Sequence, residues 1–190
     1  MKPSPKAARS SAPAPDWPRE VFALLKAAGV RQVAVVPDAG HARLIRLCEQ
    51  DKAMRVVRLT TEEEGVALLA GAWLGGEKGV LLMQSSGAGN CINMLSLPLS
   101  CSFPLLMLVT MRGDHGEFNP SQVPVGNSTQ RVLEEVGVIV KRADSAADIP
   151  EMVSGALRLA FNTYRPLAVL FGQKVLGAKD FRELARGAAS

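Results

Sequence analysis

Two stretches of the sequence bring together residues that could do chemistry. Thr61-Glu62-Glu63-Glu64-Gly65 stacks three carboxylates at one point of the chain, and carboxylates accept, hold or share protons. Gln84-Ser85-Ser86-Gly87-Ala88-Gly89-Asn90 is a glycine-bearing segment after an apolar run, and a turn of that kind can offer backbone amides to an anion. Further on, Arg112 stands at the end of another apolar run. Its planar fork suits carboxylate, sulfonate or phosphonate oxygens. The segment 112–126 that it opens also holds Asp114, His115, Glu117 and Gln122, and it is long for a connection in a compact domain.

Each of these also has a plainer reading. Thr61 and Glu64 have the spacing of a capping box, in which the third helical residue reaches back to the amide of the N-cap. Glu62 and Glu63 then occupy the first two helical positions, where the helix dipole favours acids. That reading weighs more than a catalytic one, but it does not explain three carboxylates just beyond a buried strand. The glycine segment lacks the third glycine of a dinucleotide fingerprint and is no P-loop, so a tight structural turn weighs more. His41 and His115 are the only histidines, and no Cys, His or carboxylate stands at metal-ligand spacing from either. Arg112 is as well suited to pairing with Asp114 or Glu117 as to gripping a substrate, and no GxSxG elbow is present.

The elements that must position these residues alternate along the chain. Helices are predicted over 18–28, 42–50, 62–74, 90–100 (bent near Pro98), 129–136 and 147–163, with strands over 32–36, 54–59, 79–84, 104–111, 137–141 and 166–171. The strand runs are apolar on both faces instead of alternating, the mark of a parallel sheet covered on each side. The expected fold is α/β and doubly wound, a mostly parallel six-stranded sheet with helices on both faces. Residues 1–15, rich in Pro, Ser and Ala, read as a disordered tail. Residues 16–175 read as the domain and 176–190 as a C-terminal tail. In such sheets ligands bind beyond the carboxyl ends of the strands, which is where the segments above emerge.

Composition narrows the classes. The net charge of +4 belongs to the two ends, and the rest of the chain carries −1, so a face-wide phosphate-binding stripe and nucleic-acid binding are not expected. The longest apolar runs are far short of a membrane span. Three cysteines without a CxxC pair argue against a disulfide framework or a zinc site and for a reduced, cytoplasmic setting.

Taken in order, Val36-Pro37-Asp38, the run from Glu62 through Ala67 to Ala70-Gly71-Ala72-Trp73, the run from Met83 to Asn93, and Met111-Arg112-Gly113 resemble the pyrimidine-binding domain of thiamine-diphosphate enzymes. Within that family the chain is most similar to the separate alpha subunits of sulfopyruvate decarboxylases, with phosphonopyruvate decarboxylases as near relatives. The resemblance covers roughly residues 17–175. It implies a glutamate that hydrogen-bonds the aminopyrimidine ring of the cofactor, and the family's spacing to Ala72-Trp73 selects Glu63. It implies Pro37, Gly87 and Asn90 for the pyrimidine pocket, and Asp38, Gln84, Arg112 and His115 near the substrate.

The family's Gly-Asp-Gly motif for the diphosphate and Mg2+ is missing; Arg112-Gly113-Asp114-His115-Gly116 is not one. The resemblance therefore implies a separate beta subunit that holds diphosphate and metal, in a hetero-oligomer with self-association. The implied activity is decarboxylation of a small anionic 2-oxo acid, sulfopyruvate giving sulfoacetaldehyde and carbon dioxide. The alternatives are phosphonopyruvate or another 2-oxo acid, or a non-catalytic subunit that keeps only the fold.

Overall fold

The computed structural model describes residues 15–177. Nearly all of both tail expectations falls outside these residues. Six strands, β1 (Val30–Val35), β2 (Arg55–Arg58), β3 (Lys78–Gln84), β4 (Leu105–Thr110), β5 (Ile139–Ala143) and β6 (Pro166–Phe171), form one sheet in the order β2-β1-β3-β4-β6-β5. Every neighbouring pair is parallel. The helices are α1 (Trp17–Ala27), α2 (Ala42–Gln50), α3 (Glu62–Leu74), α4 (Ser85–Cys91), α5 (Ser96–Cys101), α6 (Val123–Glu135), α7 (Asp148–Thr163) and the short α8 (Gln173–Leu176).

The continuous apolar runs explain the layers. Successive strand residues point to opposite faces, so a strand buried on both sides feeds two cores. In β4, Leu106 and Leu108 join Val80, Leu82, Leu167 and Val169 in one core, which is closed by Val21 and Leu25 of α1, Leu44 of α2 and Val153 and Ala160 of α7. Leu105, Met107 and Val109 join Leu81, Met83, Ala168 and Leu170 in the other, closed by Val66 and Leu69 of α3, Ala88 of α4 and Leu133 of α6. The edge strands carry charge instead, with Arg55 and Arg58 exposed on β2 and Lys141 on β5, which discourages edge-to-edge pairing.

Two expected boundaries move. The segment 85–91 is helical from its first residue, and a break between Cys91 and Ser96 replaces one bent helix over 90–100. Serine, glycine and asparagine are poor helix formers, so packing between α3 and α6 decides this helix, not propensity. α6 starts at Val123 instead of residue 129, with Pro124 in its first turn, where N–H groups have no acceptor within the helix and a missing one costs little.

Strand order places the carboxyl ends of β1, β3 and β4 side by side at the centre of the sheet. The chain leaves β1 toward β2 on one side and returns to β3 on the other, which opens a crevice at the switch point. Among the described residues no helix is long and apolar enough to cross a membrane.

Candidate active site

Two clusters of polar side chains form at this end of the sheet. The first is built on α3. Thr61 is extended and serves as N-cap, and Glu64 completes the capping box, its carboxylate accepting from the amides of Thr60 at 2.8 Å and Thr61 at 3.5 Å. The helix buries Glu62, Gly65, Val66 and Leu69, spaced as one helical face. Glu62 is therefore the inward carboxylate, 8% exposed. Asn90 of α4 donates from Nδ2 to its Oε2 at 2.8 Å. Its Oε1 has no hydrogen-bond partner among the described residues. A Cβ at Gly87 would overlap the Glu62 carboxyl group, so only glycine at this point of α4 lets the acid lie across it. The neighbouring Cys91 thiol is pushed up to about 12 by burial and by the charges of Glu62 and Glu63, which keeps it a protonated wall residue.

The second cluster gathers on Asp38, just beyond β1. Its Oδ1 accepts from Gln84 Nε2 at the end of β3 (3.1 Å), and its Oδ2 from Thr110 Oγ1 at the end of β4 (2.6 Å) and from the Gly40 amide (3.0 Å). Burial works to raise the carboxyl pKa, but these bonds and His41 outweigh it, and Asp38 is held below the usual carboxylate value. It is an anion at neutral pH. His41 lies behind it, fully buried, Nδ1 4.0 Å from Asp38 Oδ2 and edge-on to the Phe171 ring.

Arg112 enters this crevice from β4. Its guanidinium grips Glu117 through two bonds of 2.5 Å, from Nε to Oε2 and from Nη2 to Oε1. That bidentate pair, first through its Arg112 bonds, draws Glu117 down to about 2. Asp38, Gly40, Thr110, Met111, Arg112 and Gln173 line a cavity of about 100 Å³. Ser85 joins the two clusters: its Oγ accepts from the Arg112 amide at 3.0 Å, which ties the start of α4 to the end of β4.

The expected site residues divide accordingly. Gly87 and Asn90 meet on one carboxylate, and Asp38, Gln84 and Arg112 surround one crevice. Glu63, selected by spacing, is exposed. It follows Glu62 by about 100° of helical turn, which carries it off the buried face, and the inward position belongs to Glu62. Pro37 is exposed and lines a shallow groove with Asp38, Ala42, Ile45 and Arg46. The His115 side chain is exposed and does not line the cavity; what the fold uses is its backbone amide, which donates to Gln173. Thr110 and Gln173 were not foreseen as site residues, and Glu117 was foreseen as a pairing partner of Arg112, the pairing that forms. Glu62 stands four residues before Val66 and seven before Leu69, on the apolar stripe of α3.

The family profile "Thiamine pyrophosphate enzyme, N-terminal TPP binding domain" matches residues 19–129. A sulfopyruvate decarboxylase subunit alpha from Methanococcus maripaludis is 34% identical over 151 residues, covering 79% of this chain and 90% of that one. A phosphonopyruvate decarboxylase from Streptomyces viridochromogenes is 39% identical over 104 residues, 54% of this chain and 26% of that one. Among solved structures, a 2-oxoglutarate:ferredoxin oxidoreductase from Magnetococcus marinus superimposes with a TM-score of 0.68 at 16% identity, over 84% of this chain and 29% of that one; this is a likeness of fold. The chain belongs to the thiamine pyrophosphate enzymes, as an N-terminal, TPP-binding type of domain, and within them to the family of the sulfopyruvate decarboxylase alpha subunits.

Proposed function

We propose that this chain is the pyrimidine-binding subunit of a two-chain, thiamine-diphosphate-dependent decarboxylase acting on sulfopyruvate. The observation that carries this is Glu62: a carboxylate at a helix start, one oxygen anchored by Asn90 and the other open, lying across a glycine. Such a group fits a flat nitrogen heterocycle that must share a proton at a ring atom, and the aminopyrimidine of thiamine is one. Glu62 would hold that proton, Asn90 would fix the direction of the carboxylate, and Gly87 would leave room for it. When bound, the cofactor supplies the electron sink that lets a 2-oxo acid lose carbon dioxide.

The remaining residues would handle the substrate. Arg112 offers the cavity a cation, and Asp38, kept ionised by three hydrogen bonds, offers an acceptor opposite it. The charges favour a sulfonate over a phosphonate tail. The Arg112 charge is partly balanced by Glu117, and Asp38 is negative. A sulfonate brings a single charge, whereas a phosphonate, like a phosphate monoester, approaches two. The similarity to the sulfopyruvate relative also extends over more of the chain.

In this reading Mg2+ and the diphosphate belong to a partner chain, and the lack of a Gly-Asp-Gly motif in this sequence supports that. The face of α4 beside Glu62 supports a partner there. Gly89 is exposed, with no described atom near where its Cβ would be. An exposed helical glycine leaves that face open to close approach by another chain.

The test is reconstitution with the partner chain. Carbon dioxide release is expected to require both chains, thiamine diphosphate and Mg2+, with kcat/KM for sulfopyruvate at least about 10-fold above that for phosphonopyruvate or pyruvate. A preference for phosphonopyruvate would overturn the substrate. Cofactor binding without turnover of any of the three would leave a non-catalytic subunit.

A further inference from the structure

Gln173 opens α8 at the carboxyl end of β6 and is almost wholly buried, with 3% of its surface exposed. Its side chain reaches under the loop that leaves β4. Oε1 accepts from the amides of Asp114 and His115, each at 3.1 Å. Nε2 donates to Glu117 Oε2 at 2.8 Å, and its own backbone amide donates to Asp114 Oδ1 at 3.2 Å. It also lines the cavity with Asp38, Thr110 and Arg112. An amide suits a position that receives two N–H groups and at the same time donates to a carboxylate: an ionised acid has no proton to give, and a lysine has no lone pair to offer.

The bonds form a chain of control. Glu117 is the sole carboxylate on the Arg112 guanidinium among the described residues. Glu117 is in turn held by Gln173 together with the amides of Gly113 at 3.3 Å and Asn119 at 3.0 Å. Arg112 therefore takes its direction from Glu117, and Glu117 from Gln173. By drawing on Oε2, the Gln173 amide also shares the carboxylate charge that would otherwise fall wholly on Arg112.

We propose that Gln173 is a positioning residue for substrate anion recognition, setting Arg112 in the cavity for the acidic tail of the substrate by orienting Glu117. This rests on the function proposed above, and the test separates the two. The probe is sulfoacetate, an unreactive dianion, titrated calorimetrically into the reconstituted two-chain enzyme loaded with thiamine diphosphate and Mg2+. KM and kcat for sulfopyruvate are measured alongside.

Gln173→Ala is expected to weaken sulfoacetate binding and raise KM by about 10-fold or more. It should leave kcat and the thiamine diphosphate dissociation constant within about 2-fold, the pattern of lost uniform binding. Sulfoacetate affinity unchanged by the substitution, or absent from the wild type, overturns the proposal whether or not the enzyme turns over. Weakened sulfoacetate binding in a complex that decarboxylates nothing would sustain Gln173 and sink the decarboxylase reading. A fall in cofactor affinity with sulfoacetate unaffected would also overturn it, by making the role of Gln173 purely structural.

Should Gln173→Ala fail to fold, Gln173→Glu provides an independent reading. The introduced carboxyl keeps the acceptors for the Asp114 and His115 amides. It meets Glu117 and Asp114 on the loop, with Arg112 behind the first, Arg142 behind the second and Asp38 across the cavity. Next to Glu117 it would hold its proton to a raised pH, and when protonated it donates to Glu117 as the amide does. The sulfoacetate affinity of Gln173→Glu relative to wild type is expected to recover at least about 5-fold as pH falls from about 8 to about 6. A ratio that does not change with pH overturns the proposal.

Discussion

Replacing Glu62 with Gln in the reconstituted enzyme is expected to lower kcat by at least about 100-fold, whereas Glu63→Gln stays within about 2-fold, because a positioned proton-transfer group contributes on the order of 100- to 10,000-fold. Glutamine has the size of glutamate and retains an oxygen for Asn90 Nδ2, so the packing of α3 on α4 survives. What is lost is the ability to hold a charge and share a proton. The comparison is internally controlled. Both residues lie in the first turn of α3, both feel the same helix dipole, and both stand near Cys91. They differ in direction: Glu62 is inward on Gly87 and Asn90, and Glu63 is in solvent. Steady-state carbon dioxide release at saturating cofactor is the measurement, and equal losses in the two variants would count against a directional role.

The second large effect is on stability and lies with His41. Both ring nitrogens are buried without a hydrogen-bond partner among the described residues. Burial drives the imidazole down to about 4 from 6.5, against the opposing pull of the Asp38 carboxylate. The folded value lies below the unfolded one, so as pH falls the unfolded chain takes up the proton first. Stability is therefore intact above about 6.5 and is lost progressively as pH falls toward about 4, by about 3 kcal/mol in all. His41→Leu removes the group that must titrate. The expected result is that urea midpoints of the wild type fall more steeply between pH 7 and pH 4 than those of the variant, the gap closing by about 3 kcal/mol. Parallel pH profiles would show that His41 is not the group responsible. The same bonds that make Asp38 an anion thus sit against a histidine that the fold keeps neutral.

Much of this architecture is legible in the sequence, for reasons particular to its elements. β3, β4 and β6 have to be buried on both faces because their apolar runs do not alternate, and six such runs separated by helical periods leave little besides a doubly wound parallel sheet. α4 is hidden because Ser85-Ser86-Gly87-Ala88-Gly89-Asn90 has the composition of a turn. Its glycine serves a side chain that comes from another helix, a contact no local pattern records. α8 is a single short turn whose role lies in bonds to residues more than fifty positions away.

The site follows the same division. Asp38, Gln84 and Arg112 are readable because the ends of parallel strands converge by rule. The choice between Glu62 and Glu63 turns on the direction in which the chain enters α3. Capping accounts for Glu64, and the spacing to Ala72-Trp73 selects Glu63, which lies off the buried face of α3 in this chain. The buried stripe of Glu62, Val66 and Leu69 is the observation behind the proposal of Glu62. His115 shows the converse: a residue type that suggests chemistry, used here through its backbone.

The central claim is that Glu62 is the carboxylate that activates the cofactor, and it is tested most directly by the rate at which the C2 proton of bound thiamine diphosphate exchanges with deuterated solvent, measured by NMR after acid quench of the two-chain enzyme without substrate. This rate reports on proton sharing at the cofactor and is blind to the substrate cavity. Exchange in the wild type and in Glu63→Gln is expected to be fast and equal, and in Glu62→Gln slower by at least about 100-fold. Fast exchange retained in Glu62→Gln but lost in Glu63→Gln would contradict the account.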